Sequence, residues 1–388
     1  MQSNRISGPK QVKHENYQYD LIIIGAGING LLTAYFLLQA GIRPLLLEQG
    51  DIAKQSSWAG GGILSPLYPW RYLEAVTQLV SYSQQIYPSL CQLLKNETGI
   101  DPQWVKSGLL IQHVEDEQDA RNWCNQYQIH HEWVTPEQYQ ERFRNISIGK
   151  GPSIYFEDVA QVRNPRLVKA LAKYLSERNV PILSQQTVQK ISLNNHAVEK
   201  IVTNNQTFSC DTVCLTNGAW MRQLIPEGYQ NVSIEPVKGQ MILLQSTPEL
   251  INHIVLRDSH YVIPRQDGLT LVGSTLEKTG YDKTITEEAQ QQLLSIAGEI
   301  VPRLHNYKLV NHWAGLRPGS PNGIPNICQH PEIQGLFVNG GQYRNGVAMG
   351  PASGQLMANL ILQEPPIVDA KSYQLAAVGK LSPVQKSY

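Results

Sequence analysis

A long uncharged stretch of the chain, Leu21 to Leu38, changes character half-way. It opens as LIIIGAG, an apolar run of strand composition that stops at Gly25. It continues as INGLLTAYFLL with apolar residues at helical spacing, and a second apolar run, PLLLE, closes on Glu48. The change of period predicts strand, glycine turn, helix and strand in succession. Such a stretch is long enough to cross a bilayer. However, Gly25, Gly27, Asn29, Gly30 and Thr33 interrupt it and no basic cluster flanks it, so a soluble βαβ unit is the better reading.

The same patterning orders the rest of the chain. Residues 71–97 read as a helix broken near Pro88, and WVKSGLLIQHV at 104–114 alternates like a strand. Thr135-Pro136-Glu137-Gln138 has the form of a capping box. Asn164-Pro165 opens an amphipathic helix with Leu167, Leu171 and Leu175 on one face. Short strands follow through FSCDTVCLTNG, with a hairpin turning at Asn194-Asn195. Residues 232–276 are β-rich, and Thr286 caps a helix running to about Ile300. WAGLRPGSPNGIPNI reads as a glycine- and proline-rich loop, and GLFVNGGQYRNGVAMGPASG returns to strand, glycine turn and a helix starting near Val347. Rossmann-like character therefore appears in three separate segments, interrupted by β-rich pieces. The predicted class is α/β (α+β overall), a Rossmann-like domain with an inserted antiparallel β-rich domain. Residues 19–90, 150–232 and 306–365 are assigned to the first and 91–149 and 233–305 to the second, with 1–18 and 366–388 as tails.

At 388 residues the chain suits two joined domains. Its 32 basic and 32 acidic residues balance, which argues against bulk attraction to nucleic acid or anionic membranes. Five dispersed cysteines do not read as a disulfide framework, and His130-His131 lacks partners at ligand spacing, so no metal site is expected. The N-terminal residues contain no apolar core of a secretory signal, and a reducing cytoplasm fits.

The chemistry begins at the first turn. Gly25, Gly27 and Gly30 form G-x-G-x-x-G between a strand and a helix, and Glu48 closes the next strand. Gly25 permits the turn, Gly27 admits a pyrophosphate to the backbone, and Gly30 lets helix and strand approach. Glu48 can accept from ribose hydroxyls and would repel a 2′-phosphate. The loop DIAKQSSWAGGGILSPLYPW then carries three consecutive glycines among embedded aromatic and aliphatic residues, as a loop filled by a large cofactor would. The second glycine cluster, Gly340-Gly341, precedes a helix whose small residues (Gly350, Ala352, Ser353, Gly354) allow close approach. A helix N-terminus there would stabilise the charge collecting on a reduced flavin, a need that NAD lacks, so two glycine-rich helix starts favour FAD. Arg317 and Arg344 sit in glycine- and proline-rich loops, where a buried arginine needs an anion. Tyr261 beside Arg317 would complete a carboxylate clamp, or, as one of 18 tyrosines, serve only the packing of the β-rich sheet.

These motifs resemble the FAD-dependent D-amino-acid oxidase superfamily, and within it the glycine oxidases of bacterial thiamine biosynthesis. The likeness runs from about Asp20 to about Gln363 and rests on IIIGAGINGLLTAY, SSWAGGGILSPLYPWRY, EPVKGQM, YVIPR with LVGST, WAGLRPGSP and GQYRNGVAMGPAS. It implies FAD held noncovalently, since no cysteine lies in the flavin-lining motifs. Gly25, Ala26, Gly27, Ile28, Asn29 and Gly30 would wrap the pyrophosphate, with Glu48 and its neighbour Gln49 at the adenosine ribose. Ser56, Ser57, Ala59, Gly60, Gly61 and Ile63 would line the flavin, Val188 would meet the adenine, and Gly218 would join the cofactor wall. Gly341, Tyr343, Arg344, Asn345, Gly346 and Val347 would hold the pyrimidine end.

The resemblance further implies that Arg317, Tyr261 and Arg344 form the substrate site. Glycine, sarcosine or D-alanine would be oxidised to an imine that hydrolyses to the 2-oxo acid and ammonia. Dioxygen would be reduced to hydrogen peroxide, and dehydroglycine would feed thiazole formation. A homo-oligomer without membrane insertion and without a nucleic-acid partner is expected. Three departures stand out: Gln342 where members commonly have histidine, Cys328 where a glycine often stands, and Ser259 in place of a histidine. The competing readings are a quinone-linked dehydrogenase of small amino acids, a tRNA-modifying flavoprotein, and a flavin binder without turnover.

Overall fold

A computed structural model describes residues 16–229 and 231–375. Its centre is a six-stranded sheet in the order Asn326–Gln329, Leu336–Gly340, Thr212–Leu215, Leu21–Ile24, Leu45–Leu47, Ile182–Leu183. All neighbours are parallel except the first pair. The strand Leu21–Ile24 is buried on both faces, as its unbroken aliphatic run requires. The chain leaves it towards Leu45–Leu47 on one side, while Thr212–Leu215 flanks it on the other. Strand order reverses at this point, so a crevice opens outside the carboxyl ends of these strands.

The first helix, Ile28–Gln39, is too short to span a bilayer, and no helix among the described residues is long and apolar enough to do so. It packs on the last long helix, Gly350–Leu362. The small residues of that last helix serve this contact: a Cβ on Gly354 would lie 2.7 Å from Leu32 Cβ. The helix also starts at Gly350, after a turn, and not near Val347.

An eight-stranded sheet forms the second layer, in the order Lys308–Gly319, Glu235–Gln245, Leu269–Gly273, His260–Pro264, Ile254–Arg257, Leu109–Gln112, Ser153–Phe156, Glu132–Trp133. It is antiparallel except where Ile254–Arg257 meets Leu109–Gln112. Alternation divides its faces. Val262, Ile242 and Val272 pack with Leu293 and Ala297 of the helix Glu287–Ile300, whereas Tyr261, Ile263 and Met241 face Ile63 and Leu67 of the glycine-rich loop.

Several local expectations change. Arg317 is not in a loop but on the edge strand Lys308–Gly319, where Pro318 costs no ladder bond. The helix Glu74–Thr98 continues through Pro88, because Tyr87, Leu90 and Leu94 are buried on both sides of it. The 104–114 segment breaks at Gly108 (φ +67°), and Leu109–Gln112 is buried throughout rather than alternating. The hairpin turns at Asn195-His196, both left-handed, one residue later than expected, as a two-residue turn of that twist demands. The capping box at Thr135 forms as predicted. The expected tails are shorter. Asn16–Gln18 pairs with Thr207–Ser209, and the fully buried Tyr373 donates to the carbonyl of Ala75. Residues 1–15 and 376–388 of the expected tails lie outside the described residues.

Candidate active site

One cleft runs from the carboxyl ends of the central parallel strands to the inner face of the eight-stranded sheet. At its first end the glycine turn closes tightly. Gly25 N–H donates to Leu47 O, and Thr216 Oγ1 donates to Gly25 O at 2.7 Å. A Cβ on Gly30 would lie 2.0 Å from Gly25 O, so only glycine fits beneath the turn. Glu48 is buried, and its carboxylate accepts from the backbone N–H of Ala26 (2.9 Å) and Gly50 (3.2 Å). Burial raises its pKa, against those backbone bonds that hold it down. Ser57 Oγ accepts the free N–H of Ile28 at the start of the first helix. Two buried acceptors on the cleft wall, Asn29 Oδ1 and Asn217 Oδ1, have no partner among the described residues. Ribose or ribityl hydroxyls would satisfy them, so this wall fits a dinucleotide.

The middle of the cleft is the segment 55–63, a one-turn helix, Ser56–Ala59, followed by the glycine run. It is docked on the edge strand: Trp313 Nε1 donates to Ala59 O at 3.1 Å, and Ser56 Oγ donates to Leu316 O. Arg265, buried, donates to Gly61 O at 2.7 Å and fixes the loop from behind.

The far end holds the arginines. The Arg317 guanidinium, half-buried, rests on neutral acceptors alone: Ser274 Oγ (2.7 Å), Lys238 O (3.2 Å) and Thr275 O (3.3 Å). No described carboxylate pairs with it. Burial depresses its pKa, and nearby Arg344 acts the same way, so an anion entering here would be stabilised. Tyr261 directs its hydroxyl towards Met241 Sδ (3.8 Å) and interacts with the Arg317 guanidinium. Arg344 lines the cleft with its buried Nε unpartnered.

Of the residues marked in the sequence, the wall takes in Gly25, Gly27, Ile28, Asn29, Glu48, Gln49, Ser56, Ser57, Ala59, Gly60, Gly61, Ile63, Val188, Gly218, Tyr261, Arg317 and the run Tyr343 to Val347. Ala26, Gly30 and Gly341 lie behind it, shaping the turns without facing the cleft. The sequence reading passed over Thr216, Asn217, Trp220, Gly239 and Ser274, all of which line the cleft. Only Thr216 and Asn217 carried a signal, since they end a strand predicted beside the glycine turn.

The fold and cleft define a flavoenzyme of the doubly wound type. The profile of the FAD dependent oxidoreductase family, DAO, matches residues 20–360, and the chain belongs to that family. The chain is 41% identical to the glycine oxidase of Pseudomonas aeruginosa over 93% of its own length and 99% of the relative's. It is 29% identical to the bifunctional protein ThiO/ThiG of Synechocystis over 92% of its own length and 54% of that protein's. Among solved structures, the glycine oxidase of Geobacillus kaustophilus superposes with a TM-score of 0.86 at 25% identity, covering 93% of this chain and 99% of the other. The chain is an FAD-dependent amino acid oxidase.

Proposed function

We propose that the amino acid is glycine, or a similarly small amine such as sarcosine or D-alanine. The balanced reaction is glycine plus water plus dioxygen giving glyoxylate, ammonia and hydrogen peroxide. The observation that carries this reading is Arg317: a half-buried guanidinium in the cleft, fixed by neutral acceptors and free of any described carboxylate. A substrate carboxylate would take the open side of that cation, supported by Tyr261 and the field of Arg344. In this reading Gly25 to Gly30 and Ser57 hold the pyrophosphate end of FAD, Glu48 the ribose, and residues 341–347 the pyrimidine end. FAD, when bound, would accept the two electrons of the substrate Cα–H bond as hydride, the amine nitrogen losing a proton as the C=N bond forms. The chain's residues orient the carboxylate so that this carbon faces the flavin, and no protein base is required. The glycine oxidases among the relatives support the substrate, and the relative called ThiO/ThiG supports supply of dehydroglycine to thiazole formation in thiamine synthesis.

The test is anaerobic mixing of the FAD-loaded enzyme with a panel of small amino acids, followed by peroxide detection in air. Bleaching by glycine and stoichiometric peroxide are expected. Bleaching without peroxide would favour a quinone-linked dehydrogenase, and no bleaching by any small amino acid would overturn the reading.

A further inference from the structure

Lys238 is a cation where none is needed for solubility: it is 2% exposed, on the strand Glu235–Gln245 at the back of the Arg317 site. Its Nζ meets Glu277 Oε2 at 2.8 Å and donates to Thr284 O at 3.0 Å. Those partners lie on the two limbs of one loop, the connection between Gly273 and the helix that starts at Glu287. Gln240, two residues on and on the same face, repeats the pattern. Its Nε2 donates to Glu277 Oε1 at 2.9 Å, and its Oε1 accepts from Thr286 N–H at 2.9 Å. Two side chains of one strand thus staple the neck of the loop.

The outgoing limb of this neck holds Arg317. Glu277 and Lys238 exchange backbone hydrogen bonds, and Thr275 Oγ1 donates to Glu277 Oε1 while accepting from Gln240 N–H. That pairing fixes three groups relative to each other: Lys238 O, Thr275 O and Ser274 Oγ, the acceptors of the Arg317 guanidinium. The loop's tip reaches the cleft as well. Tyr281 stacks on Trp220 at 5.9 Å, and Lys283 donates to Gln55 at 2.9 Å.

We propose that Lys238 and Glu277 are positioning residues for carboxylate recognition, acting through the loop neck that orients Arg317. The inference rests on the reading of Arg317 as the carboxylate site. Because the pair satisfies itself, it aims the arginine without cancelling its charge.

The test compares wild-type holoenzyme with Glu277→Gln and Ser274→Ala, using acetate as a carboxylate probe that perturbs the flavin spectrum. For Glu277→Gln, the acetate Kd and the glycine KM should both rise about tenfold or more, with kcat within about threefold and FAD retained. Ser274→Ala, which removes one acceptor and should fold normally, should raise both by about threefold or more. A purely structural role would lower the melting temperature of Glu277→Gln and leave the acetate Kd of the folded protein unchanged. An FAD-loaded Glu277→Gln with acetate Kd and glycine KM within twofold of wild type would overturn the proposal. If that variant fails to fold, an unchanged acetate Kd in Ser274→Ala does so. Wild-type enzyme that binds no acetate and is not bleached by glycine would instead defeat the substrate assignment itself.

Discussion

Gly239 gives the sharpest handle on the site, because it supports the arginine by having no side chain. It lies opposite Gly315 in the ladder between Glu235–Gln245 and Lys308–Gly319, one pair along from Lys238 and Leu316. A Cβ built on it would fall 2.1 Å from Arg317 Nη2, 2.3 Å from Nη1 and 2.4 Å from Cζ. Gly239 does not have a left-handed φ, so alanine fits the backbone. The obstruction is the end of a flexible side chain, which can retreat. To reach ordinary contact at 3.4 Å the guanidinium must move by about 1.3 Å. The bond to Ser274 Oγ at 2.7 Å and those to the carbonyls of Lys238 and Thr275 are then broken or bent. A misplacement of about 1 Å in a positioning group costs on the order of a hundredfold, about 2.7 kcal/mol. Gly239→Ala should therefore fold, bind FAD and melt within a few degrees of wild type, yet lose about a hundredfold in kcat/KM for glycine, mostly through KM. The assay is steady-state peroxide production at saturating oxygen, beside the flavin content of the same sample. A loaded enzyme with kcat/KM within about threefold of wild type would refute the placement of Arg317 over this glycine.

Gly30→Ala should have the opposite profile. Its Cβ would lie 2.0 Å from a backbone oxygen that cannot step aside, so the purified protein should be colourless, and full flavin loading would refute the account of the turn. Denaturation by heat or acid should release all the flavin into the supernatant. The five cysteines are buried away from the cleft, and burial pushes the Cys124 thiol to about 11 and the Cys91 thiol to about 12; colour remaining on the precipitated protein would contradict this. Glu277 also predicts a pH signature. Burial alone would raise its pKa, but hydrogen bonds from Lys238, Thr275 and Gln240 outweigh that and hold it below 4.5. Its folded value being depressed, its stabilisation is present above its unfolded value and drains as pH falls through the folded one. Removing one partner of a buried pair costs about 3–5 kcal/mol, less here because Glu277 is 26% exposed. The melting temperature gap between wild type and Glu277→Gln should be constant near neutrality and close below about pH 4.5; a gap that persists there would show that the charge is not what matters.

What the sequence disclosed and what it hid follow one division. Gly25, Gly30, Thr135 and Thr286 answer to local constraints, a turn or a helix end whose cause lies within a few residues, and each serves the role its neighbours predict. Arg317 was marked by its company of glycine and proline, yet those residues were misread as a loop. Gly315 is there because a Cβ would lie 2.6 Å from Ala59 Cβ, and Gly239 because the arginine lies across it. Glycines that admit another segment leave the same trace in sequence as glycines that turn the chain. Pro88 misled in a similar way, since tertiary burial of Tyr87 and Leu90 outweighed its local cost. Lys238 and Ser274 carried no signal at all. A lysine in VKGQM is as compatible with solvent as with burial, and only the return of the distant loop supplies Glu277 and Thr284 around it.

The distribution of charge at the far end of the cleft then has a physical reason. A half-buried guanidinium must be held, and a carboxylate would hold it most strongly. That solution would also neutralise it and leave no place for a substrate anion. Neutral acceptors from Ser274, Lys238 and Thr275 fix direction while leaving the charge in force. Neutral acceptors are weak and need a rigid frame, which the chain builds from an ion pair on the other face of the strand. There the Glu277 carboxylate is committed to Lys238, Gln240 and Thr275, while the Arg317 guanidinium donates to Ser274, Lys238 and Thr275 instead. The strong electrostatic bond is thus kept one layer behind the site, where it can set geometry without lowering the affinity of Arg317 for an incoming carboxylate.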